Sequence, residues 1–268
     1  MYSISQLHIY PVKSLGGFSP EQWEANPEGF HLDRTWLLTT DYKSFISQRD
    51  FPILARFSTS IMENKVTAIF EGQSISFDYD EIVPNRHLIG VWDDQSIVFE
   101  TPTYLSEWFS DMLQIRVFLV RQADNKSRMH FISKLQKTVA VTMADGYPYL
   151  ILGTASIMEL NARLQTPVSL SRFRPNIVVN THIPHEEDLF EPFSIGSANF
   201  NTVKPCGRCI MVNVDQSTGL SSKEPLKTLS AYRKKDNHVY FGANALCIGS
   251  GIIKRGDTLK FNIHAACH

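Results

Sequence analysis

The chain opens on alternation. Over residues 3–12, Leu7, Ile9 and Pro11 fall on one face with polar neighbours opposite, the period-two pattern of a half-buried strand. The strand runs out at Val12-Lys13-Ser14-Leu15-Gly16-Gly17, where the glycine pair marks a turn or bulge. Residues 33–39 read as a second strand. Residues 66–70 and 74–77, joined by Glu71-Gly72-Gln73, read as a hairpin, and 96–99 as another strand. Behind Thr101-Pro102-Thr103, Leu105, Trp108, Phe109 and Met112 recur at helical spacing and predict an amphipathic helix, with the proline in its first turn. Residues 115–120 return to strand. Residues 121–130 are polar and partly basic without a period, and read as a loop, the best place for a domain joint or flap.

The second half continues in the same way. Residues 139–143 and 149–152 are strand-like. Ser156-Ile157-Met158-Glu159 fits a capping box, with Ile157, Leu160, Asn161 and Leu164 carrying the helical stripe onward. Arg172-Phe173-Arg174-Pro175-Asn176 runs into the buried-looking strand 177–179. His182-Ile183-Pro184-His185-Glu186-Glu187-Asp188 holds metal-ligating residue types, but the proline breaks helical spacing and the acidic polarity favours a surface loop. Ile210-Met211-Val212 reads as a buried strand, residues 215–219 as a turn, and Ser221 onward as a short helix with Leu226, Leu229 and Tyr232 inward. Residues 239–242 begin a strand, Cys247 reads as a small buried residue, and 252–261 give two strands around a Gly-Asp turn. Cys267-His268 closes the chain as a frayed tail. Many short strands with few helices and no internal repeat predict a mainly β (α+β) protein, a barrel or sandwich.

Composition narrows the field. A chain of 268 residues makes one large domain or two small ones, and 43% hydrophobic content is enough for a core. No apolar run approaches the roughly 18 residues of a spanning helix. The N-terminus lacks the basic flank and apolar stretch of a secretory signal. Four cysteines in this length are no disulfide framework, so the default is reduced thiols in the cytoplasm. A net charge of -1 argues against general nucleic-acid binding, so any basic cluster must be local and aimed at something small.

The chemistry centres on Lys204-Pro205-Cys206-Gly207-Arg208-Cys209. Cations beside a thiol stabilise the thiolate, which binds metal or reacts. Basic or polar groups also recur at strand ends: Lys13, Ser14, Arg34, Arg49, Arg172, Arg174 and Arg208. Lys13 with Ser14 suits an anion, or is an ordinary strand end. Arg34 and Arg49 either pair with Asp33 and Asp50 or hold a ligand's acidic group. Guanidinium forks match phosphate, and a thiolate matches a soft-ligand metal, so one ligand with a phosphate end and a metal end would use the whole set. A redox dithiol and a structural zinc site compete for the cysteine pair. The dithiol motif belongs near a βαβ unit, and zinc would need Cys247 and a histidine to complete four ligands.

Lys204 to Cys209, with Phe173-Arg174-Pro175-Asn176-Ile177 before it and Asp215, Gly219 and Lys223-Glu224-Pro225 after it, resembles the MOSC domain. Tyr10-Pro11-Val12-Lys13-Ser14, Asp33-Arg34-Thr35-Trp36 and Ser47-Gln48-Arg49 resemble the β-barrel domain found at the front of the same proteins. The nearest likeness is to the amidoxime-reducing components and the bacterial reductases that detoxify N-hydroxylated bases. The resemblance implies an N-terminal MOSC β-barrel domain over residues 1–120 packed on a MOSC β-barrel domain over 121–268. It implies a molybdenum cofactor, a pterin-dithiolene ending in phosphate (Mo-molybdopterin), with Cys209 as metal ligand. Lys13, Ser14 and Arg34 would hold the phosphate and pterin end. Arg49, Arg174, Asn176, Gly207 and Arg208 would form other parts of the pocket, Asp145 would accept or relay a proton, and Cys206 would shape the loop. The implied reaction is a two-electron reduction of an N–OH compound to the N–H compound and water, independent of pyridoxal phosphate, in a monomer. Electrons would come from a separate donor protein of the ferredoxin, flavin reductase or cytochrome type, since the chain lacks the further cysteine set of an iron–sulfur cluster. Gly146-Tyr147 departs from the small hydroxyl residues of many relatives and bears on the substrate pocket. A non-catalytic carrier of the cofactor, or a sulfur-handling protein, would use the same pocket.

Overall fold

A computed structural model describes residues 1–124 and 127–261. The tail residues Cys267 and His268 and part of the polar stretch 121–130 lie outside the described residues. The molecule is mainly β, with three α-helices among the described residues. Its largest sheet has the strand order Ser3–Leu7, Ile177–Asn180, Tyr149–Gly153, His238–Ile248, Ala198–Arg208, Phe193–Ile195 and Lys260–Phe261, with Lys234–Lys235 added beside His238–Ile248. Tyr149–Gly153 and Ile177–Asn180 pair in parallel. A parallel pair needs a crossover, and the helix Thr154–Arg163 lies within it. All five residues of Tyr149–Gly153 are buried, which is why that run reads as continuous apolarity rather than alternation.

A second sheet joins Trp36–Thr39, Phe118–Gln122, Asp94–Glu100 and Val83–Val91, and Ser58–Met62, Lys65–Phe70 and Gln73–Asp78 form a meander. The two halves of the sequence interlock. Ser3–Leu7 pairs with Ile177–Asn180, and Gly251–Lys254 pairs with Gln22–Asn26. One core gathers Leu7, Ile9, Tyr149, Ile177 and a stacked Phe193–Phe200 pair. Another gathers Val12, Leu15, Trp36, Phe57 and Phe109. The chain passes from the first core to the second between Ile9 and Val12, and delivers Lys13 and Ser14 where the two meet.

The helix Thr103–Leu113, the hairpin Lys65–Phe70/Gln73–Asp78 and the helix Leu226–Arg233 follow the sequence pattern, and Cys247 is buried. Several readings are corrected. Of residues 33–39, only Trp36–Thr39 is strand. Ile210–Asn213 is a 3-10 turn with Ile210 exposed, and the strand of that region is Ala198–Arg208, which runs into the cysteine motif. Apolar composition alone does not separate a short strand from a turn that buries only some of its residues. Ser156 is no cap: Gly153 occupies that position, and Ser156 lies inside the helix, bonded to Glu187. Glu187 is itself fully buried, so 182–188 is more than a surface loop. Among the described residues it forms no metal-ligating group. Residues 121–130 contain the start of a strand, Met129–Ile132, and a fully buried Arg128. Gly251–Lys254 and Lys260–Phe261 pair with different strands rather than with each other. No helix among the described residues is long and apolar enough to cross a membrane.

Ile177 sits in a row with Leu7 and Ile151, all fully buried across three strands. Ile177→Ala is expected to cost about 2–5 kcal/mol by urea denaturation, whereas Leu189→Ala, at a largely exposed position, stays within about 0.5 kcal/mol. Burial pushes the His8 imidazole down to about 4. The unfolded chain takes that proton near about 6.5, so between these values the unfolded state binds more protons. His8 therefore contributes a loss of stability that begins below about 6.5 and is complete below about 4. His8→Gln should remove that part of the acid loss, read as a smaller shift of urea midpoint between about pH 7.5 and about pH 4.5.

Candidate functional site

A cleft of about 370 Å³ opens between residues of the first half of the chain, among them Lys13, Arg34 and Trp92, and residues of the second, among them Phe173, Arg174 and Cys209. Lys13, Ser14, Arg34, Asp145, Arg174, Asn176, Gly207, Arg208 and Cys209 all line it. Arg49 approaches from the side: its Nη2 donates to Cys209 Sγ at 3.3 Å, and its guanidinium lies 4.3 Å from the Trp92 ring. The residues singled out in the sequence therefore converge on one place, although they span more than 190 positions of chain.

The deep end is built around a buried ion pair. Asp33 has no exposure, and it accepts from Tyr10 N at 2.8 Å, from Asn176 Nδ2 at 3.2 Å and from Arg34 Nη1. Arg34 Nη1 also reaches Asn176 Oδ1, and its Nη2 reaches the Arg174 carbonyl, both at 3.2 Å. Burial works against the Arg34 charge, but the Asp33 carboxylate overrides it and raises the guanidinium pKa. Arg174 donates to Leu15 O at 2.6 Å and lies 4.3 Å from the Tyr10 ring, against which Arg34 also packs. Burial, reinforced by the Arg34 charge, lowers the Arg174 guanidinium to about 10. Nη2 of Arg174 and Nη2 of Arg208 are buried without a partner. Unpaired buried donors are costly, and both belong to residues that line the cleft.

A second ion pair crosses the cleft wall. Lys13 Nζ donates to Asp145 Oδ1 at 2.6 Å and to Met143 O at 2.8 Å. Trp92 Nε1 donates to the same Asp145 oxygen at 3.0 Å. Burial lowers the Lys13 ammonium pKa, with Asp145 opposing. The Asp145 side chain is 66% exposed to the cleft while Lys13 is 7% exposed, so the carboxylate stands on the floor of an open depression. Its depth would raise its pKa, but the Lys13 charge, the hydrogen bonds from Lys13 and Trp92, and Arg34 outweigh that and hold the carboxyl well below the usual carboxylate range.

The shallow end carries the thiols. Cys206 lies on the strand Ala198–Arg208, and Cys209 precedes the 3-10 turn Ile210–Asn213. Both are free and half-buried. Burial raises the Cys206 thiol, with Arg208 opposing. Arg208 is tied by Nε to Phe241 O at 2.8 Å and by Nη1 to Phe173 O at 3.1 Å. Gly242 is required behind it: its φ is +72°, and an added Cβ would lie 2.7 Å from Ile151 O. Arg172 pins the turn after the thiols, through Asn213 O at 3.0 Å and Asp215 Oδ2 at 2.8 Å.

Ser14, Arg34, Trp92 and Arg174 all hold a left-handed backbone, with φ of 70°, 51°, 59° and 52°. That conformation is unfavourable for residues with a Cβ and persists where the surroundings enforce it. At Arg174 it closes the 3-10 turn Leu170–Phe173, and at Trp92 it belongs to the turn between Val91 and Asp94. Tyr147, singled out in the sequence as bearing on the substrate pocket, lines the cleft; sequence reasoning missed Trp92, Phe45 and Arg128. Trp92 lies in a hairpin turn that nothing in its neighbourhood marks, and Arg128 lies in a stretch read as a polar loop.

The family model for the MOSC domain matches residues 138–260, and that for the MOSC N-terminal beta barrel domain matches residues 1–116. Mitochondrial amidoxime reducing component 2 of Bos taurus is 30% identical over 251 residues, 87% of this chain and 73% of that protein. Mitochondrial amidoxime-reducing component 1 of Homo sapiens is 29% identical over 279 residues, 95% of this chain and 81% of that protein. Molybdenum cofactor sulfurase of Oryza sativa subsp. japonica is 29% identical over 268 residues, 90% of this chain but 32% of that protein. The chain thus spans about a third of the length of the sulfurases it matches and about three quarters of the length of the amidoxime-reducing components. With both patterns in order along the sequence and a mainly β fold around one cation-lined cleft, the chain belongs to the MOSC family, with a MOSC N-terminal β-barrel domain ahead of the MOSC domain.

Proposed function

We propose that this protein is a molybdenum-cofactor-dependent oxidoreductase. It reduces N-hydroxylated compounds, such as N-hydroxylated bases and amidoximes, to amines or amidines, with electrons from a separate donor protein. The observation that carries the reading is the pairing, in one cleft, of a partly exposed thiol, Cys209, with the cations Lys13, Arg34, Arg174 and Arg208. Thiolate is a soft ligand suited to such a metal, and guanidinium groups suit phosphate. A pterin-dithiolene that ends in phosphate presents both chemistries, so the residues present fit it. Cys209 would hold the metal. Lys13, Ser14 and Arg34 would hold the phosphate and pterin end, and Arg49, Arg174, Asn176, Gly207 and Arg208 the remainder of the pocket.

The cofactor, when bound, supplies the two-electron redox chemistry. The chain supplies charge and position. Cleavage of an N–OH bond to give N–H and water consumes two electrons and two protons. Asp145, held ionised at neutral pH and only weakly basic, is an anchor for N–H groups of the substrate rather than an acid, and the two protons are drawn from water in the open cleft. Lys13 is the cation that keeps it so. Arg49 compensates negative charge at the Cys209 sulfur. Trp92 and Phe45 wall that end of the cleft with apolar surface and limit the access of water. The division of the chain into an N-terminal unit over 1–120 and a MOSC unit over 121–268, and a monomeric cytoplasmic protein, accompany this reading.

A second reading is a cofactor carrier or sulfur-handling protein, favoured by the match to molybdenum cofactor sulfurases. Turnover separates the two. Protein from a host able to make the cofactor is expected to contain near-stoichiometric molybdenum and to reduce benzamidoxime or 6-hydroxylaminopurine with a chemical reductant. Molybdenum without turnover selects the carrier, and zinc without molybdenum sinks both. Cys209→Ser should lose the metal while remaining folded, and Cys206→Ser should be milder, both read by elemental analysis beside a melting curve. Arg174→Gln should leave the cofactor-free protein as stable as before or more so, because it removes a cation crowded by Arg34. It should also weaken molybdenum retention by about tenfold or more.

A further inference from the structure

Arg128 has no exposed side-chain surface, yet its guanidinium is fully engaged. On one side it donates to three carbonyls of a single short stretch: Nη1 to Thr142 O at 2.9 Å and to Ala144 O, and Nη2 to Asp145 O at 3.1 Å. On the other side Nε and Nη2 donate to Asp94 Oδ2, at 3.2 and 2.9 Å. His130 Nδ1 meets the same oxygen at 2.8 Å. A lone buried carboxylate would need only one cation. Three carbonyl contacts in addition show a group that fixes backbone.

The two segments joined in this way both reach into the cleft. The stretch 142–145 provides Met143 O and Asp145 Oδ1, which are the acceptors of Lys13. The turn between the strands Val83–Val91 and Asp94–Glu100 provides Trp92, whose indole donates to Asp145 and whose ring carries Arg49 beside Cys209. Trp92 is held in a left-handed backbone conformation, φ 59°, that a bulky residue adopts only under constraint. Trp92 is the first residue of the two-residue turn between the paired Val91 and Asp94, which calls for that conformation, and Asp94 ties the turn to Arg128.

We propose that Arg128 and Asp94 are a positioning pair for the cleft, holding the Asp145 carboxylate and the Trp92 indole against each other and against Lys13. The catalytic consequence of this placement rests on the reductase reading; the placement itself does not.

The test uses the full chain, isotopically labelled and without added cofactor. The Trp92 indole N–H signal is identified by its loss in Trp92→Phe, and its exchange with deuterium is compared with that of Trp23, Trp36 and Trp108. In Arg128→Met and in Asp94→Asn the Trp92 indole should exchange about tenfold faster or more, with the other three signals unmoved. Should Arg128→Met fail to fold, Asp94→Asn, which keeps the guanidinium and an acceptor oxygen, decides alone. Unchanged Trp92 exchange in a folded variant overturns the proposal. In the cofactor-loaded protein, kcat/KM for benzamidoxime should fall about tenfold, with KM raised because Asp145 anchors the substrate. A freed indole with kcat/KM intact overturns the catalytic half. Wild-type protein that never turns over removes the reductase reading, and the exchange result still stands.

Discussion

The cleft depends on one buried carboxylate. Asp33 receives the Tyr10 amide, the Arg34 guanidinium and the Asn176 amide, and so ties together three segments that lie far apart in the chain. A buried ion pair adds little net stability, because the cost of removing two charges from water offsets their attraction. What it fixes here is geometry. With Asp33 in place, Arg34 can stand deep in the cleft, and Asn176 can bond Leu150 N and His8 O across neighbouring strands. The same arrangement makes Arg34 both a structural residue and part of the cleft lining. Its removal would strand a buried charge, so the two roles cannot be separated by deleting it.

The remaining cations are arranged against their own interest. Arg34 and Arg174 share the Tyr10 ring, Lys13 is nearly sealed, and two guanidinium nitrogens have no acceptor. Four cleft residues hold strained backbone. Each feature costs stability, and the two interlocked cores offset that cost. Cations crowded around one cleft are what make an anionic ligand part of the proposed reading.

Much of this was legible in the chain itself. The strands with clean alternation and the helices with apolar stripes were readable because burial on one face leaves a period. The strand-end cations were readable because charged residues beside buried strands need a reason. The cysteine loop stood out by its neighbours. Three kinds of information were not local. The run Ile210-Met211-Val212 has the composition of a strand, but its backbone turns because Arg172 and Asp215 pin the segment that follows. Ser156 looked like a helix cap, yet its hydroxyl serves Glu187, thirty-one residues away. Arg128 sat in a polar stretch with no period, and only the folded backbone shows which carbonyls it gathers.

The interlocking of the halves also sets an order on synthesis. Ser3–Leu7 is made well before its partner Ile177–Asn180, and Gln22–Asn26 waits still longer for Gly251–Lys254. During translation two early strands therefore remain unpaired edges, which are open to wrong partners. Closure comes from contacts between residues far apart in sequence, the slow kind. The cleft wall of Lys13, Ser14 and Arg34 is therefore made long before the wall that carries Cys206 to Cys209. A partly made chain has only half a cleft, and whatever the cleft holds must wait for both halves.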